Sequence, residues 1–307
     1  MSKTYKYKSF GLVIDSECQI AQLLEADTES KPDVFIRKCD LSSTDIIDGH
    51  FRITAKELYL AIEDVAKFHI AEGRLIEVHP YPECTDSLLA VYLMGSCMGA
   101  ILHQRGYMPL HGSCVTDGKH SVLITGDSGA GKSTLAAEFL SRGWKLLTDD
   151  VAPVYDIDSI PMVQSSYPSQ KLWQDSLEHY KRQEEDIHSL YFNENREKFG
   201  VNVSEYFYDG SAPLSFVIRL IPADMPCTIQ TMEGMTSVDQ LMQNTYRSFM
   251  IAPENRERHF RRCVALANKV PMAYITRQNG MQCAATLYEM IMSYLKEDEH
   301  EQSDGIK

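Results

Sequence analysis

Hydrophobic and polar positions divide the chain into stretches of different rhythm. Up to about residue 83, short runs rich in β-branched and aromatic residues are separated by charged turns such as Asp27 to Asp33. Phe10 to Ile14, Val34 to Lys38, Phe51 to Thr54, Leu58 to Ile62, Lys67 to Ile70 and Leu75 to His79 are the predicted strands. Residues 1–83 are therefore expected to form a small β-rich domain. The pattern then becomes one apolar run, Ser87 to Leu102, interrupted by Gly95, Ser96 and Gly99. Thr85 or Asp86 can cap it and Gly106 can end it, which predicts a helix reaching about Gln104. The sixteen residues of the run fall short of the roughly 20 that span a bilayer, so a buried helix is expected and no membrane partner.

From there strands alternate with helical patterns, as in an α/β fold with α+β elements. Ser113 to Thr116 and Ser121 to Thr125 read as a hairpin around Asp117-Gly118-Lys119-His120. Leu135 to Arg142 reads as a helix whose inward face carries Leu135 with Phe139 and Ala136 with Leu140, closed by Gly143. Trp144 to Thr148 is a short strand ending in Asp149-Asp150. Pro168 to Trp173 and the polar stretch Glu178 to Lys198 read as loop and helix on the same side, with Arg196 and Lys198 as either lid residues or solvated charges. Leu214 to Ile221 and Thr228 to Met232 follow as strands, Val238 to Phe249 as a helix, Met272 to Thr276 as a last strand and Cys283 to Leu295 as a last helix. The expected division is a domain over 84–296 and a charged, disordered tail over 297–307.

One segment carries a recognisable chemistry. Gly126-Asp127-Ser128-Gly129-Ala130-Gly131-Lys132-Ser133-Thr134 fits G-x-x-x-x-G-K-[ST] and sits between a predicted strand and a predicted helix, the context that gives this pattern meaning. Its glycines let successive amides face one anion at a helix N-terminus. Lys132 would reach the outer phosphates of a nucleotide, and the Ser133 hydroxyl would bind Mg²⁺. The hairpin brings His111 close. If Thr116 pairs with Ser121, His111 lies opposite Gly126; a two-residue turn moves it opposite Ile124, about 7 Å lower. In either register the imidazole is beside the phosphate loop, where it can donate a hydrogen bond or move a proton. The acidic pair points to the same crevice, because ligands of open α/β sheets lie at the carboxyl ends of strands. One carboxylate is expected as a metal ligand. A second is surplus for an ATPase but useful to a kinase, which needs an acceptor for the proton of its hydroxyl substrate.

Composition narrows the partners. The chain has 307 residues, 44% hydrophobic and 24% charged, with net charge −13, which argues against a general nucleic-acid binder. Eight scattered cysteines form no C-x-x-C pair and are expected as reduced thiols of a cytoplasmic protein. Met-Ser-Lys-Thr-Tyr-Lys leads into no apolar segment of a secretory signal. Arg256, Arg258, Arg261 and Arg262 cluster on one predicted helix, as either ordinary surface or a docking site for an acidic peptide or phosphate. Homo-oligomer formation is left open.

Leu110-His111-Gly112, the glycine-rich segment through Ser133, Arg142-Gly143 and Thr148-Asp149-Asp150 together resemble the catalytic domain of HPr kinase/phosphorylase and its looser relatives. The spacing agrees, fifteen residues from His111 to Gly126 and seventeen from Lys132 to Asp149. The resemblance is strong over residues 99 to 160. It implies a P-loop domain related to phosphoenolpyruvate carboxykinase, with ATP as donor and Mg²⁺ as metal. It also implies His111 near the γ-phosphate, Lys132 and Ser133 on phosphate and metal, Asp149 on the metal and Asp150 as base, the last two being exchangeable. Thr134 stands where HPr kinases usually have Glu, and the glycine-rich segment tied to their phosphorylase reaction is not visible. Phe10-Gly11-Leu12, Ser16-Glu17 and Leu102-His103-Gln104-Arg105-Gly106 are instead similar to stand-alone HPr kinase-like proteins, some of which phosphorylate a serine of lasso-peptide precursors. That resemblance implies a kinase acting on a peptide or small protein. The alternatives are a kinase of a small molecule such as free serine, and a nucleotide-gated regulatory protein that transfers nothing. No L-S-G-G-Q-like segment is present, which sets an ABC-type ATPase aside.

Overall fold

A computed structural model describes residues 3–173, 187–193, 196–279 and 283–304. The N-terminal runs build one eight-stranded sheet. Its strands are β1 (Tyr5–Ser9), β2 (Leu12–Ser16), β3 (Leu24–Glu25), β4 (Val34–Lys38), β5 (Phe51–Ile53), β6 (Glu57–Ile62), β7 (Ala66–Ala71) and β8 (Leu75–Pro80), in the order β3-β1-β2-β4-β8-β7-β6-β5. Five of the six predicted strands lie at their expected places. Phe10 departs from its predicted strand: it turns at φ 56° between β1 and β2, with its ring fully buried. β1 itself was not expected, although Tyr5 and Tyr7 alternate with lysines in the rhythm of a strand with one buried face.

The apolar run is helical throughout, as α1 (Asp86–Tyr92), a π-helical turn (Leu93–Cys97) and α2 (Met98–Gln104), with Thr85 capping the start by accepting from the Leu88 N–H. By length and composition this is the one helix, among the described residues, apolar enough to cross a membrane, but 61% of its most apolar window is buried within the protein. It packs on the N-terminal sheet: Leu93, Met98, Ile101 and Leu102 share one core with Phe10, Ile36, Phe68 and Ile76, and with Tyr246 from far along the chain. Fully burying each such aliphatic or aromatic side chain contributes about 1.5–3 kcal/mol. Gly95 and Gly99 make the helix surface flat enough for the Tyr246 side chain, whose hydroxyl and ring would lie 3.0 Å from a Cβ at either position.

The second sheet contains β9 (Met108–Thr116), β10 (Ser121–Gly126), β11 (Lys145–Ile157), β12 (Ile160–Gln164), β16 (Ser211–Ala223), β17 (Thr228–Met232) and β18 (Met272–Gln278), ordered β10-β9-β11-β12-β16-β18-β17. β10 also pairs with β16, so five of its strands close on themselves. A three-stranded sheet of β13 (Ser169–Trp173), β14 (Ile187–Asn193) and β15 (Arg196–Asn202) lies beside it. α3 (Lys132–Ser141) and α6 (Ala284–Asp304) pack with the β10 side chains Val122 and Ile124, whereas α4 (Met235–Gln243) and α5 (Arg256–Ala267) pack with Leu123. Helices therefore cover both faces, and the fold is mixed α/β. The expected inward face of α3 is fully buried, with Phe139 meeting Trp144 and Tyr288 edge-on. Gly143 ends the helix at φ 91°.

Several expectations are corrected. The strand after α3 does not stop at Asp149-Asp150 but continues for seven residues, to Ile157, because β12 returns along it as a hairpin. Pro168 to Trp173 is not all loop: Ser169–Trp173 is a strand paired with β15. Of the stretch Glu178 to Lys198, residues 178–186 and 194–195 lie outside the described residues, and the remainder is strand. The helix expected to Phe249 ends at Gln243, since the Asn244 side chain donates to the Gln240 carbonyl and Arg247 takes φ 46°. The expected charged tail continues α6 to Asp304; Glu297 to Asp304 contains neither Gly nor Pro to stop it.

Candidate active site

Strand register assembles the crevice. Thr116 pairs with Ser121, so the four-residue turn is the one formed and His111 takes the higher of its two expected positions. Beyond Ser113, β9 keeps pairing with β11, placing Ser113 against Asp149, Gly112 against Asp150 and His111 against Val151. β9 lies so near β10 here that a Cβ at Gly112 would meet the Ile124 carbonyl oxygen at 2.5 Å, which only glycine avoids. On its other side, the His111 N–H donates to Asn244 (2.7 Å) and the Tyr246 N–H donates to Pro109 (2.9 Å). The turn that ends α4 early is thus hydrogen-bonded to the back of the site.

His111, Ser128, Gly129, Gly131, Lys132, Ser133, Thr134, Asp149, Asp150 and Lys171 line one cleft. Consecutive strand residues ordinarily face opposite sides. Asp149 and Asp150 both reach the cleft because Asp150 has a left-handed backbone, φ 89°, which is costly for a residue other than glycine. Thr148 braces the distortion by donating its hydroxyl to the Val151 carbonyl at 2.6 Å.

The two carboxylates have different neighbours. Asp149 is buried, receives the Ser113 hydroxyl and the Lys171 N–H (2.7 Å), and lies 3.3 Å from the Ser133 hydroxyl. Asp150 receives the Lys171 ammonium at 2.7 Å and has His111 Nδ1 at 3.3 Å. The same Nδ1 is 3.1 Å from the Asp150 carbonyl, so it carries the proton in this arrangement and Nε2 is the ring nitrogen not engaged by Asp150. Burial opposes both charges of the Lys171–Asp150 pair, but attraction outweighs it. Lys171, helped by His111, holds the Asp150 carboxyl well below the usual carboxylate range, and Asp150 holds the Lys171 ammonium above the usual lysine range. Burial pushes the neighbouring Tyr167 hydroxyl up to about 12.

A depressed carboxylate contributes stability above its unfolded pKa near 3.9, and a raised lysine contributes below its unfolded pKa near 10.4. The pair's contribution should be constant from about pH 5 to about pH 9 and fade only below about pH 4 or above about pH 10. Urea midpoints of the wild type and of the Asp150→Asn, Lys171→Met double variant should keep the same gap at pH 5, 7 and 9. A gap that closes by pH 6 would show that Asp150 is not held ionised by Lys171.

In the glycine-rich loop, Lys132 Nζ donates to the Gly126 (2.8 Å) and Asp127 (3.1 Å) carbonyls. Its glycine-rich turn starts α3 at Lys132, so the amides of Gly131 to Ser133 belong to the half-buried start of a helix. Every expected site residue except Gly126, Asp127 and Ala130 lines the cleft, and those three complete the loop beneath it.

Sequence reasoning missed several neighbours. Lys171 was hidden in an apparent loop, and Ser113 in a strand. Gln170 donates to the Ser133 carbonyl (2.9 Å), Arg219 lies 3.3 Å from the Asp127 carboxylate, and Arg277 donates to the Ala130 carbonyl (2.9 Å). Arg219 and Arg277 come from β16 and β18, which run parallel to β10 or to each other; that parallel order was the signal that could have placed them. Arg196 and Lys198 lie in β15, with their side chains outside the described residues.

Comparison with known proteins finds similarity over part of the chain. Residues 105–178 match the HPr Serine kinase C-terminal domain family. The HPr kinase/phosphorylase of Clostridium beijerinckii is 49% identical over 49 residues, 16% of each chain. That of Lacticaseibacillus casei is 44% identical over 59 residues, 19% of this chain and 18% of the relative. The matched stretch is less than a fifth of the length of these curated relatives. Among solved structures, the Hpr(Ser) kinase/phosphatase of Coxiella burnetii aligns with TM-score 0.37 and 13% identity, over 64% of this chain and 97% of that one.

Proposed function

We propose that this crevice transfers the γ-phosphoryl group of ATP to a serine-type hydroxyl of a peptide or small protein. The carrying observation is the split of two adjacent carboxylates between two tasks, Asp149 beside the Ser133 hydroxyl and Asp150 beside His111, over one phosphate loop. A nucleotide holder has use for the first arrangement only.

The donor set suits Mg²⁺, which takes one or two protein oxygens and fills its remaining positions with phosphate and water. The Ser133 hydroxyl and the Asp149 carboxylate, 3.3 Å apart, are such a pair. An ion held there would supply positive charge against that of the nucleotide's phosphates. Lys132 and the loop amides hold the γ-phosphoryl group. Asp150 accepts a hydrogen bond from the incoming hydroxyl, orients it, and takes its proton as the new bond to the γ-phosphorus forms and the bond from that phosphorus to the bridging oxygen breaks, releasing ADP. His111 keeps Asp150 in place through Nδ1 and presents its other edge to the cleft, beside the Ser128–Lys132 loop.

The relatives named as HPr kinases support a protein acceptor, and the likeness to stand-alone members favours a precursor peptide of the lasso type in the cytoplasm. The test is incubation with ATP and Mg²⁺ against HPr, candidate precursor peptides and free serine, with mass spectrometry of the products. Phosphoserine in a peptide or protein is expected. Phosphate on free serine alone would move the reading to a small-molecule kinase, and ATP binding with no phosphorylated product would leave a nucleotide-gated regulator.

A further inference from the structure

A second cleft, larger than the candidate active site, lies between the edge of the N-terminal sheet and α5. Its walls are Ile53 to Lys56 and Leu58, at the turn between β5 and β6, the end of α2 with Gly106 and Tyr107, the Met250–Ala252 turn, and one face of α5. Of the four arginines clustered in the sequence, only Arg258 and Arg262, one helical turn apart, face it; Arg261 instead pairs outside with Glu257. Both converge on one backbone point. Arg262 donates to the Gly106 carbonyl, and an Arg258 nitrogen would lie 3.1 Å from a Cβ at Gly106.

The charge balance is one-sided. The chain has 43 acidic residues against 30 Lys and Arg, yet no Asp or Glu lines this cleft, whereas Lys56, Arg258 and Arg262 do. Among the described residues Arg258 makes no ion pair, and Arg262 bonds a neutral carbonyl. Burial lowers the pKa of His103 and of His259, so the cations here are the guanidinium groups and Lys56, the last already 3.7 Å from the Glu72 carboxylate. Arg258 and Arg262 repel each other, Asp156 offsets this only partly at Arg262, and a bound anion would remove the remaining cost.

The rim indicates what kind of anion. β5 ends its sheet, and Phe51, on the same face of β5 as Ile53, meets Phe249 with ring centroids 4.7 Å apart. Both rings are exposed, 44% and 38%. A basic floor beside an aromatic rim and a strand edge suits an extended peptide better than a compact phosphate.

We infer that this cleft docks a carboxylate-bearing segment of the peptide acceptor, away from the hydroxyl that receives phosphate. The inference rests on the peptide-kinase reading, and it reaches the site through the wall the two clefts share: His103 Nε2 lies 2.9 Å from the Tyr246 carbonyl, and the Tyr246 ring lies 6.1 Å from that of His111.

The test is fluorescence anisotropy of labelled hexaglutamate with the full chain and no nucleotide, alongside ATP binding by calorimetry. Wild type should bind the peptide, and Arg258→Ala and Arg262→Ala should each weaken it by about tenfold, the scale of one charge-assisted hydrogen bond. ATP affinity should be unchanged. Arg258, exposed and without a structural bond, keeps the test valid if Arg262→Ala fails to fold. Equal peptide binding by Arg258→Ala and wild type overturns the inference. So does calorimetric binding of inorganic phosphate by a chain that binds no hexaglutamate, which would make this a small-anion site. ATP binding and phosphotransfer are read separately, so loss of either leaves the docking result standing on its own.

Discussion

Asp150→Asn is expected to lower kcat for phosphotransfer by about 10²–10⁴, the usual contribution of a positioned acid–base group, while ATP affinity stays within about twofold. The strongly depressed carboxyl of Asp150 at first argues against a base. In a loose, metaphosphate-like transition state, however, the hydroxyl keeps its proton until the bond to phosphorus is well advanced, so a strong base is not required. What matters is an ionised oxygen held at a fixed place, and Lys171 with His111 provides this. The single variant has a second effect. It leaves the Lys171 ammonium, 22% exposed, without its counter-charge, at a cost of up to about 3 kcal/mol, the low end for breaking a buried pair because solvent still reaches it. The Asp150→Asn, Lys171→Met double variant should recover most of that stability and none of the activity. Mass spectrometry of the acceptor and a thermal melt separate the two effects. Wild-type phosphopeptide yield from Asp150→Asn would remove Asp150 from the chemistry.

Lys171 also shows where sequence reading stopped. The phosphate loop, His111 and the acidic pair were legible because their chemistry depends on local spacing and on one short hairpin whose register fixes long-range position. Ser113 could have been found from the same hairpin, since Asp149 is its cross-strand partner, but pairing β9 with β11 required knowing that β11 runs on to Ile157. The surplus length of β11 was masked by Asp149-Asp150, which read as a polar strand end. Their joint presence in the cleft depends on the left-handed φ of Asp150, a conformation no propensity predicts. Lys171 lies on a strand stabilised by pairing with β15, and such non-local partners leave little trace in a six-residue window. Tyr246 was read as part of a helix because the apolar period continues through it. Tertiary pairing with Pro109 and His111 overrides that period.

Lys132→Ala is expected to abolish measurable transfer and to weaken ATP binding by about 10–100-fold, equivalent to one or two charge-assisted hydrogen bonds to phosphate. In the present structure the Lys132 ammonium donates to two carbonyls of its own loop, so nucleotide binding exchanges those bonds for phosphate oxygens rather than recruiting a distant side chain. Folding should change little, because the lysine is partly exposed and water can take over the two carbonyls. Lys132→Arg should not restore transfer: a planar fork directs its donors differently from a compact ammonium, and the loop is closed around the latter. Calorimetric titration with ATP, with a melting curve for each variant, checks the expectation. If Lys132→Ala binds ATP as wild type does, the triphosphate does not lie over this loop. Asp149, Asp150 and His111 would then have no phosphoryl group to act on.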